Sequence, residues 1–240
     1  MKVIKLENVN STNSYAKSHI DDLQDFSVIY ALEQTAGRGR LNRSWVDLGR
    51  GNLFMSIVLK PSDKFNDIYS NLTQYLSVCL CKVLETYNVH PQIKWPNDVL
   101  INGKKIAGIL SEAVMQNGGR FKGLVLGIGV NLNAKQTDIE QIPDKIATSL
   151  NIEINQNVDL EEFLSKLTDE FFKHYNEFLS KGFELIKEDY LKRNCFLNKE
   201  LNIQIFDKIE NGLAKSVTDN GELVLLKDNK ELVLTIGDIL

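Results

Sequence analysis

Cysteine is scarce in these 240 residues: Cys79, Cys81 and Cys195 are the whole supply. An odd, sparse set builds no disulfide framework, and Cys79 and Cys81 lie inside an apolar pattern that treats them as small hydrophobes. Histidine is equally scarce, and His19, His90 and His174 make no metal-ligand spacing with the cysteines. No hydrophobic run approaches the length of a membrane span. The opening Met1-Lys2-Val3-Ile4-Lys5-Leu6-Glu7 lacks the apolar stretch and cleavage site of a secretory leader. Positive charge is not in excess: 28 Lys and Arg against 32 Asp and Glu leave a net −4. Bulk attraction to DNA or to an anionic membrane is therefore not expected. Internal repeats and low-complexity segments are missing too. These absences predict a cytoplasmic globular protein, one large domain or one plus a small one, with ample length to bury a core.

Against that background one stretch is dense in chemistry. Glu33-Gln34-Thr35-Ala36-Gly37-Arg38-Gly39-Arg40-Leu41-Asn42-Arg43-Ser44-Trp45 holds two glycines, three arginines and a tryptophan. The glycines let backbone N–H groups approach an anion. The arginines offer fork-shaped donors suited to phosphate and carboxylate. Trp45 offers a flat face for a ring. By itself the stretch is equally readable as a solvated basic loop beside a hairpin.

The rest of the chain adds to it. Residues 2–6 predict a strand, and Ser11-Thr12-Asn13 predict a helix N-cap that also presents hydroxyls to a polar ligand. Phe26 to Leu32 and Leu53 to Leu59 predict buried strands. Ile68, Leu72, Leu76, Cys79, Val83 and Tyr87 form one face of a helix over 67–87. In Lys94-Trp95-Pro96-Asn97-Asp98, Pro96 breaks a strand ladder, so Lys94, Asn97 and Asp98 fall where side chains turn into a site. Asn102-Gly103 marks a hairpin that delivers Lys104 and Lys105. Asn117-Gly118-Gly119 predicts another turn. In 122–132 alternation puts Leu124, Leu126, Ile128 and Val130 on one face and Val125, Gly127, Gly129 and Asn131 on the other. A strand face stripped of side chains marks close approach by a ligand or backbone. Residues 134–145 predict a polar loop that orders on binding. Asp159 and Glu162 resemble a capping box ahead of a strong apolar helical stripe, and Gly182 ends it. After a boundary near Asn194, short alternating segments separated by Asn211-Gly212, Asn220-Gly221 and Asp228-Asn229 predict a small β barrel.

Taken in order, Gly37-Arg38-Gly39-Arg40 with Trp45, Lys94-Trp95-Pro96-Asn97-Asp98, Lys105-x-Ala107-Gly108-Ile109-Leu110 and Gly127-x-Gly129-x-Asn131 resemble the motifs of the biotin protein ligases. The resemblance covers nearly the whole chain and is to the short form without a DNA-binding domain, since the pattern begins by Ser11. It implies an α+β fold: a mixed, mostly antiparallel sheet with helices on one face over 1–194, then an SH3-like barrel over 195–240. It implies a two-step reaction, in which biotin and ATP give biotinyl-5′-AMP and a lysine of the biotin carboxyl carrier protein of acetyl-CoA carboxylase is then acylated. By the same resemblance Ser11, Thr12, Asn13, Gln34, Gly37, Arg38, Gly39, Arg40, Lys105, Gly108, Gly127 and Gly129 hold biotin. Arg40, Arg43, Trp45, Lys94, Asn97, Asp98 and Asn131 hold ATP. Lys105, Arg40 and Asp98 are the catalytic candidates, and Asp98 is the candidate ligand for Mg²⁺. Arg40→Gly is expected to release the adenylate early. One departure is that Leu41-Asn42 stands where many members have Arg-Gly, which removes a cation from the loop. A lipoate ligase of the same fold and a non-catalytic biotin-binding module are the rival readings. Oligomeric state, monomer or homodimer, stays open.

Overall fold

The computed structural model describes residues 2–41, 43–61, 67–116, 118–142 and 146–240. Seven strands make the main sheet: β1 (Lys2–Leu6), β2 (Ser27–Ala31), β3 (Leu53–Leu59), β4 (Pro91–Lys94), β5 (Asp98–Ile101), β6 (Lys104–Met115) and β7 (Phe121–Val130). Their order is β1-β2-β3-β7-β6-β5-β4. The β1–β2 pair is parallel and the others antiparallel. Asn102 and Gly103 both take positive φ, as a two-residue hairpin between β5 and β6 requires.

Alternation along β7 sorts the two faces as expected. Leu124, Leu126, Ile128 and Val130 join the large core, together with Leu53, Met55, Ile57 and Leu59 of β3. Over this face lie α2 (Leu72–Glu85) and α5 (Leu160–Lys173), with α6 (Tyr175–Lys181) and α7 (Lys187–Lys192) beyond them. The predicted 67–87 helix starts as a 3-10 turn, Asp67–Asn71, before α2. It is buried well beyond one stripe, because the sheet lies under it, α5 lies over it, and the C-terminal segment caps its start through Asn71 and Gln74. Asp159 caps α5 by accepting from the Glu162 N–H at 2.8 Å. The apolar stripe that follows breaks at His174.

The single helical layer is incomplete as an expectation. The helix α1 (Thr12–Ser18) packs on the opposite face, where Ala16 and Ile20 meet Ile29, Val58 and Val125. That second face is where the glycines of β7 point. The expected polar loop is partly ordered: α3 (Gln136–Ile139) buries Ile139 with Ala134 and Leu48, and α4 (Leu150–Ile154) follows it. Residues 143–145 of that loop, Asn117 of the predicted turn and Asn42 of the Arg/Gly stretch fall outside the described residues.

The C-terminal segment forms a five-stranded antiparallel sheet of β8 (Glu200–Ile205), β9 (Lys208–Val217), β10 (Leu223–Lys227), β11 (Lys230–Leu234) and β12 (Asp238–Ile239). Its order is β11-β10-β9-β8-β12, with β11 and β12 at the edges, so no closed barrel is present among the described residues. Asn211-Gly212 is not a turn but lies inside β9, where Gly212 passes so close to the Leu226 carbonyl that a Cβ would sit 2.8 Å from it. The turn falls instead at Phe206, which takes positive φ. The C-terminal segment touches the main sheet directly: Trp95 Nε1 donates to the Gly221 carbonyl at 3.2 Å, and Cys195 N–H donates to the Ile93 carbonyl at 3.1 Å.

Candidate active site

The α1-side face of the sheet carries a cavity of about 550 Å³. Its floor is a column with little side-chain bulk: Gly127 and Gly129 of β7 and Gly108 of β6 line it, and Ser56 of β3, paired with Gly127, lies buried beside them. The space left by Gly127 is filled by Asn13, and a Cβ there would fall 2.1 Å from Asn13 Oδ1. The space left by Gly129 and Gly108 is filled by the Trp45 indole, 2.5 Å and 2.9 Å from the same hypothetical Cβ atoms.

The Arg/Gly stretch closes one side. It folds back on itself, with Gly39 N–H donating to the Arg43 carbonyl at 2.7 Å and Trp45 N–H to the Gly37 carbonyl at 3.0 Å. Gly37 is needed for that approach, because a Cβ would lie 2.4 Å from the Trp45 oxygen. Gln34 crosses to α1 and caps it: its Oε1 accepts from the Thr12 N–H at 2.8 Å. Ser11 occupies the N-cap position but makes no side-chain cap bond, contrary to the simplest capping expectation.

Each loop arginine meets a carboxylate. Arg38 Nη1 lies 2.9 Å from Glu112 Oε1. Arg40 Nη1 and Arg43 Nη1 lie 3.0 Å from the two oxygens of Asp238. Arg40 also donates to Asn97 Oδ1 at 3.0 Å, while Asn97 Nδ2 donates to the Ile109 carbonyl at 2.7 Å. Lys105 Nζ lies 2.6 Å from Asp98 Oδ1 and 5.6 Å from the Trp45 ring centroid. Lys94 is the cavity cation without an ion pair among the described residues. Burial works to raise the Glu112 carboxyl, but hydrogen bonds from Lys17 and Asn13 and the charges of Lys17 and Arg38 outweigh it and hold the group below the ordinary glutamate range.

All the predicted site residues line this cavity except Gly37 and Asn131. Gly37 shapes the loop from behind. Asn131 is a brace: its Nδ2 donates to the Thr148 carbonyl at 3.0 Å, and Thr148 N–H donates to the Lys105 carbonyl at 2.9 Å. Three contributors escaped the sequence reading. Ser56, Glu112 and Asp238 each stand alone in a strand, with no local motif to single them out.

The proposed metal ligand, Asp98, has one oxygen engaged by Lys105, and both ends of the adjoining Asn97 amide are engaged as well. Among the described residues no three His, Cys, Asp or Glu side chains converge on a point. This donor set does not fit a resident divalent ion.

A cation-rich cleft over one face of a mixed sheet, with Asp238 of the small β unit at its rim, is suited to a small anionic ligand. The chain belongs to the biotin/lipoate A/B protein ligase family, whose model matches residues 6–131. It is 30% identical over 231 residues to the biotin–[acetyl-CoA-carboxylase] ligase of Paracoccus denitrificans, covering 92% of each chain. It is 30% identical over 200 residues to the bifunctional ligase/repressor BirA of Bacillus subtilis, covering 83% of this chain and 61% of that one. The chain thus spans about three fifths of that relative's length. The biotin protein ligase of Aquifex aeolicus in complex with biotin and ATP superposes with a TM-score of 0.85 at 26% identity, covering 100% of this chain and 97% of the other. No helix among the described residues is long and apolar enough to cross a membrane.

Proposed function

We propose that the chain is an ATP-dependent biotin–protein ligase. It activates biotin as biotinyl-5′-AMP and passes it to one lysine of the biotin carboxyl carrier protein of acetyl-CoA carboxylase, in the cytoplasm. One observation carries this reading: a single cavity gathers a polar ring pocket (Thr12, Asn13, Gln34), two lysines and three arginines. The names of the relatives support it.

The chemistry brings two anions together. One biotin carboxylate oxygen attacks the α-phosphorus of ATP, the bond to the bridging oxygen breaks, and pyrophosphate leaves. Lys105 supplies positive charge to both partners and strengthens its hold as the phosphorus becomes five-coordinate. Arg40, Arg43 and Lys94 take the polyphosphate. Trp45 stacks against the ligand, and the Arg/Gly loop excludes water from the reactive anhydride. The acceptor amine then attacks the acyl carbon, an amide forms, and AMP leaves with the anhydride oxygen. Asp98, freed when Lys105 swings to substrate, is positioned to accept the proton that the amine loses. Magnesium enters bound to the nucleotide substrate.

Residues 1–194 are the catalytic unit in this reading, and 195–240 form an SH3-like unit that reaches the site through Asp238. Asp238→Asn is expected to raise the KM for ATP about tenfold, the worth of one charge-assisted hydrogen bond, with biotin affinity within about threefold of the parent. Steady-state kinetics with each substrate varied in turn check this.

The decisive experiment incubates the full chain with Mg·ATP and either biotin or lipoate, and reads acyl adenylate and carrier labelling by mass spectrometry. Biotinyl-AMP followed by a mass gain on an added biotin carboxyl carrier domain is the expected result. Lipoyl-AMP in its place, or bound biotin with no adenylate, overturns it.

A further inference from the structure

Glu112 does not line the cavity, yet Asn13 and Arg38 of its wall bond to it directly, and Thr12 reaches it through Ser56 and Asn13. Its Oε2 accepts from Asn13 Nδ2 at 3.0 Å, and its Oε1 takes Lys17 Nζ at 2.6 Å and Arg38 Nη1 at 2.9 Å. Its side chain is only 15% exposed. An ionised carboxylate only accepts hydrogen bonds, so it dictates which end of the Asn13 amide faces it. The Asn13 Nδ2 end turns to Glu112 and to the Leu110 carbonyl, which leaves Oδ1 aimed inward. Ser56 Oγ lies 2.6 Å from that Oδ1, which has no proton to give, so the single Ser56 proton goes there. Thr12 Oγ1 has two oxygen neighbours, Ser56 Oγ at 2.8 Å and Gln34 Oε1 at 3.2 Å; with the Ser56 proton committed to Asn13, the shorter contact needs the Thr12 proton, so Thr12 donates to Ser56. The chain of donation therefore runs Thr12 to Ser56 to Asn13 to Glu112.

We propose that Glu112 is a positioning residue that sets the hydrogen-bond polarity of the ring pocket, so that the pocket selects a ligand ring bearing an N–H donor beside a carbonyl. Two exposed consequences make the selection. The Thr12 hydroxyl has spent its proton inward and presents a lone pair to the cavity, fit for a ligand N–H. Gln34 Oε1 is occupied by the Thr12 N–H, so Gln34 presents its NH₂ to the cavity, fit for a ligand carbonyl. An N–H and a C=O side by side are what a cyclic urea offers. This deepens the ligase reading and rests on it. The Lys17 and Arg38 charges keep Glu112 ionised at neutral pH, which the device requires.

The test is calorimetric binding to the full chain of two probes: biotin, and a biotin analogue in which one ureido N–H is replaced by ring oxygen. A site built around a buried acceptor rejects a ligand that lacks the matching donor. The parent is expected to prefer biotin by more than about tenfold. Glu112→Gln, which can turn its amide either way, is expected to lose most of that preference through weaker biotin binding. Ser56→Ala leaves the Glu112 ion pairs in place but cuts the chain, and is expected to lose the preference as well. A merely structural role for Glu112 weakens both probes equally, and an unchanged ratio in both variants overturns the proposal. A parent that binds no biotin overturns the ligase reading and this inference together. A parent that binds biotin, with variants that keep its ratio, overturns this inference alone.

Discussion

Replacing Lys105 by methionine is expected to lower the rate of biotin-dependent pyrophosphate–ATP exchange by two to three orders of magnitude, about 3–4 kcal/mol of transition-state stabilisation. Methionine keeps an unbranched apolar stem against the Trp45 ring while removing the charge, so packing is largely spared. The Lys105–Asp98 pair is about a quarter exposed on both sides, so its loss costs little in folding. The backbone of residue 105 is fixed independently by hydrogen bonds with Ile146 and Thr148. A lowered exchange rate with a nearly unchanged melting temperature is thus the expected signature. Exchange within about fivefold of the parent would remove Lys105 from the chemical step. The substitution also separates the two half-reactions. Chemically made biotinyl-AMP bypasses the first step, and the variant is expected to transfer biotin from it with a smaller defect, since the attack on phosphorus is then already complete.

How much of this site could be read before the fold was known depends on how local its logic is. The bare face of β7 follows from alternation alone, and the structure uses both glycines, Gly127 for Asn13 and Gly129 for Trp45. The hairpin at Asn102-Gly103 is likewise a local rule obeyed locally. Asn211-Gly212 obeys no such rule, because its neighbour across the sheet, Leu226, comes close enough to demand a glycine inside a strand. Long-range partners leave no trace in the sequence pattern. Asp238 answers Arg40 and Arg43 from the far end of the chain, and Glu112 answers Lys17 from 95 positions away. An isolated acid in an amphipathic strand looks like any solvated side chain until the fold brings a cation to it. Asn131 is placed by a long-range partner too. It stands at the end of the glycine-faced strand, but the backbone after α3 returns past it, and its Nδ2 donates to the Thr148 carbonyl. The all-round burial of α2 was also hidden, since a periodicity argument sees the sheet beneath a helix but not the helix and β unit stacked over it.

The two glycines of β7 should also fail differently when filled. Gly127→Ala sets a methyl 2.1 Å from Asn13 Oδ1 and 2.7 Å from its Cγ. Asn13 has nowhere to retreat. Its amide is held by Ser56, Glu112 and the Leu110 carbonyl, and its helix is pinned to the sheet through Ala16. The strain must be relieved by pushing α1 off the sheet, which takes the ring pocket apart. Biotin binding is expected to weaken by more than about a hundredfold, with a loss of about 1–3 kcal/mol in stability from overpacking. Gly129→Ala meets instead the edge of the Trp45 indole, at 2.5 Å. That side chain rides on a surface loop and can swing outward, so the folded state is expected to lose much less. The defect should move to the other substrate, as the displaced indole no longer packs over β7 and the KM for ATP rises. Titrating both variants with each substrate by calorimetry, with melting temperatures alongside, reads the contrast directly. If Gly129→Ala harmed biotin as severely as Gly127→Ala, the cavity would have to be one undivided pocket. A clean exchange of defects assigns the α1 end to the ring of the acid and the Trp45 end to the nucleotide.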